Sequence, residues 1–341
     1  MSLISIIVIG RNEEAFLARS LSAAQAAARE IGNAEVVYVD SASTDRSVEI
    51  ATALGMRVLA LKPHWQLSAA AGRFIGYHHT QGEFLLFIDG DTIVRPDFLA
   101  QAIPYFQREQ LAGLTGYLED IDEEGQLLPY FGQRLQKEEP THWLRGGCSL
   151  YRREALAQVG SFNPYLITEE EAELAVRLKQ KDWALLEIPV PMACHLRGWS
   201  SFHVRRDWKL GRFASIGKTL RYAMRDGNAW ELGLMRLKPT MFFVVVWCVL
   251  LMGIALLFRG RILAGDAALL GFASALVAVA IKKRRVTGPV QYIVTHLVTM
   301  LDVIVGLITT KLEDPLHYPL DAIEINHHTP VSLTSLQTPQ K

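Results

Sequence analysis

The residues best suited to chemistry are carboxylates at the ends of apolar runs. Asp89-Gly90-Asp91 follows directly on residues 83–88 (EFLLFI). A glycine between two acids lets the backbone turn sharply, so both carboxylates can approach one cation. Hard oxygen ligands of this kind suit Mg²⁺ or Mn²⁺. Asp-Gly is also a common turn, so the motif alone leaves both readings open. A second group, Glu169-Glu170-Glu171, opens an amphipathic stretch that reads as a helix to residue 180. Three acids in a first turn complement a helix dipole. Asp40 ends another apolar run, and His195 stands in Ala193-Cys194-His195-Leu196.

The elements that must position these groups alternate in type. Residues 3–9 (LISIIVI) and 83–88 are continuous apolar runs, the pattern of strands buried on both faces. Residues 35–39 (EVVYV) and 57–61 (RVLAL) read as strands between them, and residues 13–31, 46–54 and 68–80 as helices. This alternation predicts an α/β fold with an open, mostly parallel sheet flanked by helices. Ligands of such sheets bind beyond the carboxyl ends of the strands, where Gly10, Asp40 and Asp89 fall. Residues 97–108 and 153–158 look helical and 111–117 strand-like.

Composition excludes some classes. The 341 residues carry 35 basic and 35 acidic side chains, so no basic excess argues for nucleic acid. Three widely spaced cysteines, Cys148, Cys194 and Cys248, form neither a disulfide framework nor a zinc cage, and a reducing compartment is expected. The N-terminus lacks the basic region and cleavage site of a signal peptide and reads as a strand.

Apolar character concentrates late in the chain. Residues 241–258 carry no charge, 262–281 carry only Asp266, and 289–310 contain His296 and Asp302. Two or three membrane spans are therefore expected. Residues 203–240 mix Arg205, Arg206, Lys209 and Arg212 with Trp208 and Phe213, which suits a headgroup layer. The Lys282-Lys283-Arg284-Arg285 cluster is expected on the cytoplasmic side of an inner membrane, together with the N-terminal domain. A third crossing would leave the chain from Lys311 outside. The expected domains are 1–202, catalytic; 203–240, juxtamembrane; 241–312, membrane; and 313–341, a partly disordered polar tail.

Five motifs, taken in order, resemble the family 2 glycosyltransferases of the GT-A fold. They are Ile7-Val8-Ile9-Gly10-Arg11-Asn12-Glu13-Glu14, Val39-Asp40-Ser41-Ala42-Ser43-Thr44-Asp45, Ala70-Ala71-Gly72-Arg73-Phe74-Ile75-Gly76, Leu86-Phe87-Ile88-Asp89-Gly90-Asp91 and Glu170-Glu171-Ala172-Glu173-Leu174. The resemblance covers residues 4–200. It implies a metal-dependent transferase taking a UDP- or GDP-linked sugar to a membrane-associated, lipid-linked acceptor. It places Asp40 on the nucleotide base, and Gly10, Arg11 and Glu13 along base and ribose, with Gly90 in the donor site. Arg73 would reach the nucleotide or its phosphates. Asp91 would bind Mn²⁺ or Mg²⁺, Asp89 the ribose or a metal-bound water, and His195 could complete the metal site. The acceptor base falls on Glu171, with Glu170 as the alternative. Gly146-Gly147-Cys148 would allow a close backbone approach to donor or acceptor. Phe74 stands where the family commonly has Asn, and Gly10 where Pro is common. No Gln-x-x-Arg-Trp string marks a processive synthase, so one sugar per turnover is expected. The alternatives are transfer to polyprenyl phosphate itself and a non-catalytic nucleotide-sugar-binding scaffold.

Overall fold

The computed structural model describes residues 2–121, 126, 135–195, 212–283 and 288–325. Residues 196–211, 284–287 and the tail from 326 lie outside this set, so the start of the basic–aromatic region, Arg284, Arg285 and the end of the chain are not described. Two compact units are formed: Met1–Phe202 with Glu313–Lys341, and His203–Leu312.

The first unit is built on a ten-stranded mixed sheet. Four strands, β1 (Ile4–Gly10), β2 (Ala34–Asp40), β3 (Arg57–Ala60) and β4 (Phe84–Asp89), lie in the order β3-β2-β1-β4 and run parallel. Their apolar residues are buried on both faces, as helices on either side require. The other half departs from the mostly parallel expectation. After β5 (Thr92–Val94) come β6 (Leu111–Asp120), β7 (Glu139–Pro140), β8 (Cys148–Arg152) and β9 (Ala184–His195). β8 runs antiparallel to both β4 and β6, while β6 and β9 are parallel. Antiparallel neighbours need no crossover helix, which is why the regular alternation of elements fades after residue 97.

Helices α1 (Leu17–Ile31), α2 (Ser47–Ala53), α3 (Ala69–His78), α4 (Phe98–Ala102), α5 (Arg153–Val159) and α6 (Glu170–Lys179) complete this unit. Ser68 caps α3 by accepting a hydrogen bond from the Ala71 amide at 3.0 Å. Gly76 lets α3 press on β1: a Cβ there would stand 2.4 Å from Ile7 Cγ2.

Residues 313–325, grouped with the polar tail on sequence, return to this sheet. β10 (Ile323–Ile325) pairs antiparallel with β3 at its edge. Tyr318 is buried against Trp65, Phe74 and Tyr165, with its hydroxyl donating to the Gln66 carbonyl at 2.6 Å. Phe74, the departure from the family's Asn, is thus one wall of an aromatic box.

The second unit is helical: α7 (Arg212–Arg225), α8 (Ala229–Arg236), α9 (Lys238–Phe258), α10 (Ile262–Lys283) and α11 (Gly288–Thr309). Among the described residues, which omit side chains within α9, α10 and α11, no helix is long and apolar enough to cross a membrane.

Candidate active site

Arg73 is the centre of the site. It lies on α3 with 1 % of its surface exposed. Nη1 donates to Glu170 Oε1 at 2.8 Å and Glu171 Oε1 at 3.0 Å. Nη2 donates to Asp89 Oδ1 at 3.0 Å and the Gly146 carbonyl at 2.8 Å. Four of its five N–H groups are thereby used, and Nε has no partner among the described residues. The ring of Phe162 lies 5.5 Å from the guanidinium carbon. Burial opposes the charge, but Asp89, Glu171 and Glu170 outweigh it, and the pKa of Arg73 is pushed up. Placed so deep, Arg73 is spent on carboxylates. Arg73 does not line the cleft described below.

One guanidinium therefore joins the end of β4 to the start of α6. Asp89 is pushed up to about 6, by burial first and by Asp91 and Glu171 next, with Arg73 opposing. Glu170 is held well above the usual carboxylate range by burial and by the neighbouring Glu171. The acids of α6 divide their tasks. Glu173 is bound to Arg177 one turn on, through two bonds of 2.7 Å. The side chain of Glu170 is 7 % exposed and that of Glu171 16 %, so Glu171 is the more accessible of the two on Arg73.

Gly146 makes room for this arrangement. A Cβ at residue 146 would stand 2.3 Å from Glu171 Oε1. The close approach expected of the glycine pair is thus made to Glu171 itself. Gly147 accepts a hydrogen bond from the Asp89 amide at 3.0 Å.

A separate cleft of about 590 Å³ opens at the carboxyl ends of β2 and β3, lined by Arg11, Asp40, Ser43, Thr44, Arg46 and Leu67 among others. That volume suits a small-molecule ligand. Asp40 is buried at its floor. It accepts from Tyr38 Oη at 2.9 Å, Ser43 Oγ at 2.6 Å and the Ser43 amide at 2.8 Å. Burial raises its pKa, and these bonds oppose the shift. Asp40 is thus both a turn residue and a group on the cleft wall. Asn12, at φ 58°, clamps the first loop to the second: its Oδ1 accepts from the Thr44 amide at 2.7 Å, and its own amide donates to Ser43 Oγ at 2.9 Å. Sequence reasoning missed Tyr38 as the support of Asp40. Gly10 lies under Tyr38, where a Cβ would meet Oη at 3.0 Å. Glu13 packs beside Gly10 and Gly90, since Cβ atoms there would meet its Cγ at 3.4 and 3.1 Å.

Asp91 and His195 converge at the other edge. His195 Nε2 lies 3.6 Å from Asp91 Oδ2, and Nδ1 lies 3.6 Å from Asp120 Oδ1. β9 places His195 opposite Thr92 of β5, next to the turn. Among the described residues no group of three side chains forms a metal cage. A carboxylate and an imidazole this close fit two ligands of one cation, with its remaining positions left to water or a diphosphate. Asp89, engaged by Arg73, is a poorer ligand than Asp91.

Known proteins that resemble this chain share its fold and parts of its sequence. Residues 5–160 match the family model of glycosyl transferase family 2. A β-monoglucosyldiacylglycerol synthase from Nostoc sp. is 29 % identical over 196 residues, covering 53 % of this chain and 42 % of that protein. An undecaprenyl-phosphate 4-deoxy-4-formamido-L-arabinose transferase from Pseudomonas paraeruginosa is 30 % identical over 108 residues, covering 30 % and 32 %. The chain spans less than half the length of either relative. In three dimensions it resembles a mannosyltransferase from Pyrobaculum calidifontis, solved with GDP-Man and Mn²⁺, at TM-score 0.57 and 16 % identity, covering 90 % of this chain and 88 % of that one. The N-terminal part of the chain is thus similar to glycosyl transferase family 2, and its mixed sheet is GT-A-like.

Proposed function

We propose that the protein is an inverting glycosyltransferase that moves one sugar from a UDP- or GDP-linked donor to a membrane-associated, lipid-linked acceptor. The observation that carries this reading is the Arg73 junction. It ties Asp89, from the motif on the donor side, to Glu171, at the start of α6. The nucleotide lies in the cleft with its base near Asp40, and Arg11 and Arg46 offer positive charge along the same wall. Glu171 takes the proton of the acceptor hydroxyl. That oxygen forms its bond to the anomeric carbon as the bond to the diphosphate breaks on the opposite face, inverting the centre. Arg73 holds Glu171 in place, and Glu171 is the more exposed of the two acids on that guanidinium. Asp91 and His195 would hold Mn²⁺ or Mg²⁺, which supplies Lewis-acid stabilisation of the leaving diphosphate.

Membrane attachment belongs to the same proposal. Residues 241–258 carry no charge, and α9 has 21 residues, about the length that spans a hydrocarbon core. Val245, Leu251 and Met252 are more than half exposed; exposed apolar surface on that scale marks a lipid or protein contact. The names of the two relatives, a diacylglycerol glycolipid synthase and an undecaprenyl-phosphate transferase, support a lipid acceptor. The catalytic unit is assigned to the cytoplasmic face, where nucleotide sugars are made.

The test is sugar transfer by the detergent-solubilised full chain, screened across UDP- and GDP-sugars with Mn²⁺ and a membrane lipid extract. Glu171→Gln should lose ~10²–10⁴-fold in turnover with donor binding intact, and Asp91→Ala should lose metal-dependent activity. Unchanged turnover in both variants overturns the proposal. An acid-labile product would identify a polyprenyl phosphate as the acceptor. Donor binding without turnover under every condition would leave a scaffold.

A further inference from the structure

The chain after the helical unit is not a tail, and its position constrains how the protein meets a membrane. Ile323, Glu324 and Ile325 pair with Ala60, Leu59 and Val58 of β3. Arg57 Nε binds Glu324 Oε1 at 2.9 Å, Lys62 pairs with Asp321, and His79 Nε2 meets the Leu320 carbonyl at 2.8 Å. Ile325 joins the hydrophobic core of the catalytic unit. A strand cannot pair with its sheet through a bilayer, so residues 1–202 and 313–325 occupy one side. The intervening chain must therefore cross an even number of times.

Length decides which helices are available. At ~1.5 Å per residue the 14 residues of α7 and the 8 of α8 fall well short of a ~30 Å core. The 21, 22 and 22 residues of α9, α10 and α11 are each sufficient. An even count allows two of these three.

Packing within the helical unit selects the pair. α9 and α10 are joined by Arg259-Gly260-Arg261 alone and pack closely as a hairpin. A Cβ on Gly253 would stand 3.0 Å from Ala268 Cβ, and one on Gly265 would stand 2.5 Å from Leu257 Cδ2. Small residues at a crossing are the usual device of helices packed in lipid. The rings of Trp247 and Phe272 lie 5.8 Å apart across the same contact.

α11 has a different partner. A Cβ on Gly217 of α7 would stand 2.2 Å from the Val303 carbonyl oxygen and 2.8 Å from Gly306 Cα, so the two backbones touch. The Arg221 guanidinium donates to the Leu307 carbonyl. α7 carries Arg212, Lys218, Arg221 and Arg225 within 14 residues, and four cations are too costly to place in hydrocarbon. A helix bound so intimately to α7 stays at the depth of α7. The opposite face of α11 exposes Leu301, Ile304, Val305 and Ile308, a single stripe at i, i+3, i+4 and i+7. One apolar stripe on a helix suits the interface plane rather than a span. The basic run from Lys282 to Arg285 precedes α11, where anionic headgroups would meet it.

We propose that the chain crosses the bilayer twice, through α9 and α10, and that α11 lies along the membrane surface on the catalytic side with its Leu301–Ile304–Val305–Ile308 stripe in lipid. The proposal rests on the membrane attachment put forward above, and excludes the third crossing allowed by sequence.

The test uses the full chain with single added cysteines at Arg46, Arg259 and Lys311, all exposed. A membrane-impermeant maleimide is applied to sealed right-side-out and inside-out vesicles, with the unsubstituted chain as background. Arg46→Cys and Lys311→Cys should label in the same preparation, and Arg259→Cys only in the other. Lys311→Cys labelling together with Arg259→Cys would establish a third crossing and overturn the inference while leaving attachment intact. Arg259→Cys labelling together with Arg46→Cys would overturn both. Depth is read separately, from nitroxides on Ile304→Cys and Leu251→Cys in phosphatidylethanolamine–phosphatidylglycerol vesicles. The label at 304 should be the shallower of the two, and equal depth overturns the surface placement of α11.

Discussion

Replacing Gly146 with alanine puts one carbon where the Glu171 carboxylate now sits. The added Cβ would stand 2.3 Å from Glu171 Oε1 and 3.2 Å from Cδ. A carbon and an oxygen in contact keep ~3.3 Å or more, so the carboxylate must retreat by about 1 Å. It cannot retreat freely, because its Oε1 is held by Arg73 Nη1 at 3.0 Å. A misplacement of about 1 Å in a catalytic group costs roughly 10²-fold in rate, equivalent to ~2.7 kcal/mol in the barrier. Gly147→Ala is the internal control. Its Cβ would meet nothing nearer than 3.6 Å, an ordinary contact with Leu118 and Thr92. Neither glycine has a left-handed backbone, so neither change strains the chain. The assay is single-turnover sugar transfer at saturating donor and acceptor, with donor affinity measured alongside. Gly146→Ala should lose about 10²-fold in the transfer step and keep its donor affinity, while Gly147→Ala behaves as wild type. Equal turnover in both variants would show that the position of Glu171 does not limit proton transfer, and the assignment of the base would fall.

Two further outcomes follow from the same geometry. Arg73→Met leaves Asp89, Glu170 and Glu171 without their shared cation, and breaking a buried pair from one side costs about 3–5 kcal/mol. Asp89 and Glu170 already titrate above their unfolded values. Their contribution to stability is therefore full below the unfolded pKa and is lost as pH rises through the folded one. Removing Arg73 pushes both higher still, so thermal unfolding should show a larger deficit at pH 8 than at pH 5. A deficit independent of pH would contradict the charge argument. Asp120→Asn should weaken Mn²⁺ binding by roughly 10- to 100-fold, read by titration of the purified chain without substrate, because Asp120 orients the His195 ring from its Nδ1 side. Unaltered Mn²⁺ affinity would remove His195 from the metal site.

The parallel half of the sheet was legible because strands buried on both faces leave continuous apolar runs, as residues 4–9 and 84–88 do. The carboxylates at 40, 89, 91 and 171 were legible by residue type and position at element ends. Their partners were not. Arg73 is expected from the resemblance to reach the nucleotide or its phosphates, yet a signal for its burial was present. The α3 sequence Ala-Ala-Ala-Gly-Arg-Phe-Ile-Gly is small or apolar around its whole circumference, and a helix of that kind is buried. A lone arginine on a buried helix must find carboxylates. β10 also left a trace, the Ile323-Glu324-Ile325 alternation, but three residues carry too little period to stand out, and pairing with β3 some 260 positions earlier has no local signature. Tyr38 was hidden for a similar reason, since its hydroxyl reaches Asp40 only because both side chains point to one face of β2.

The same helix shows why the departure at Phe74 matters. Neighbouring residues on a helix point about 100° apart, so positions 73 and 74 address different surroundings. Arg73 faces the acids of the site. Phe74 faces the returning chain, its ring 5.7 Å from that of Tyr318 and 4.4 Å from that of His78. The asparagine common in the family could not form this aromatic wall. With phenylalanine there, α3 both holds Glu171 through Arg73 and receives the segment that closes the chain back onto its own sheet. A contact to the segment that leads into β10 is therefore made by the residue next to the one that holds Glu171. A polar residue at 74 would act first on docking of the Tyr318 segment, and only through movement of α3 on the chemistry.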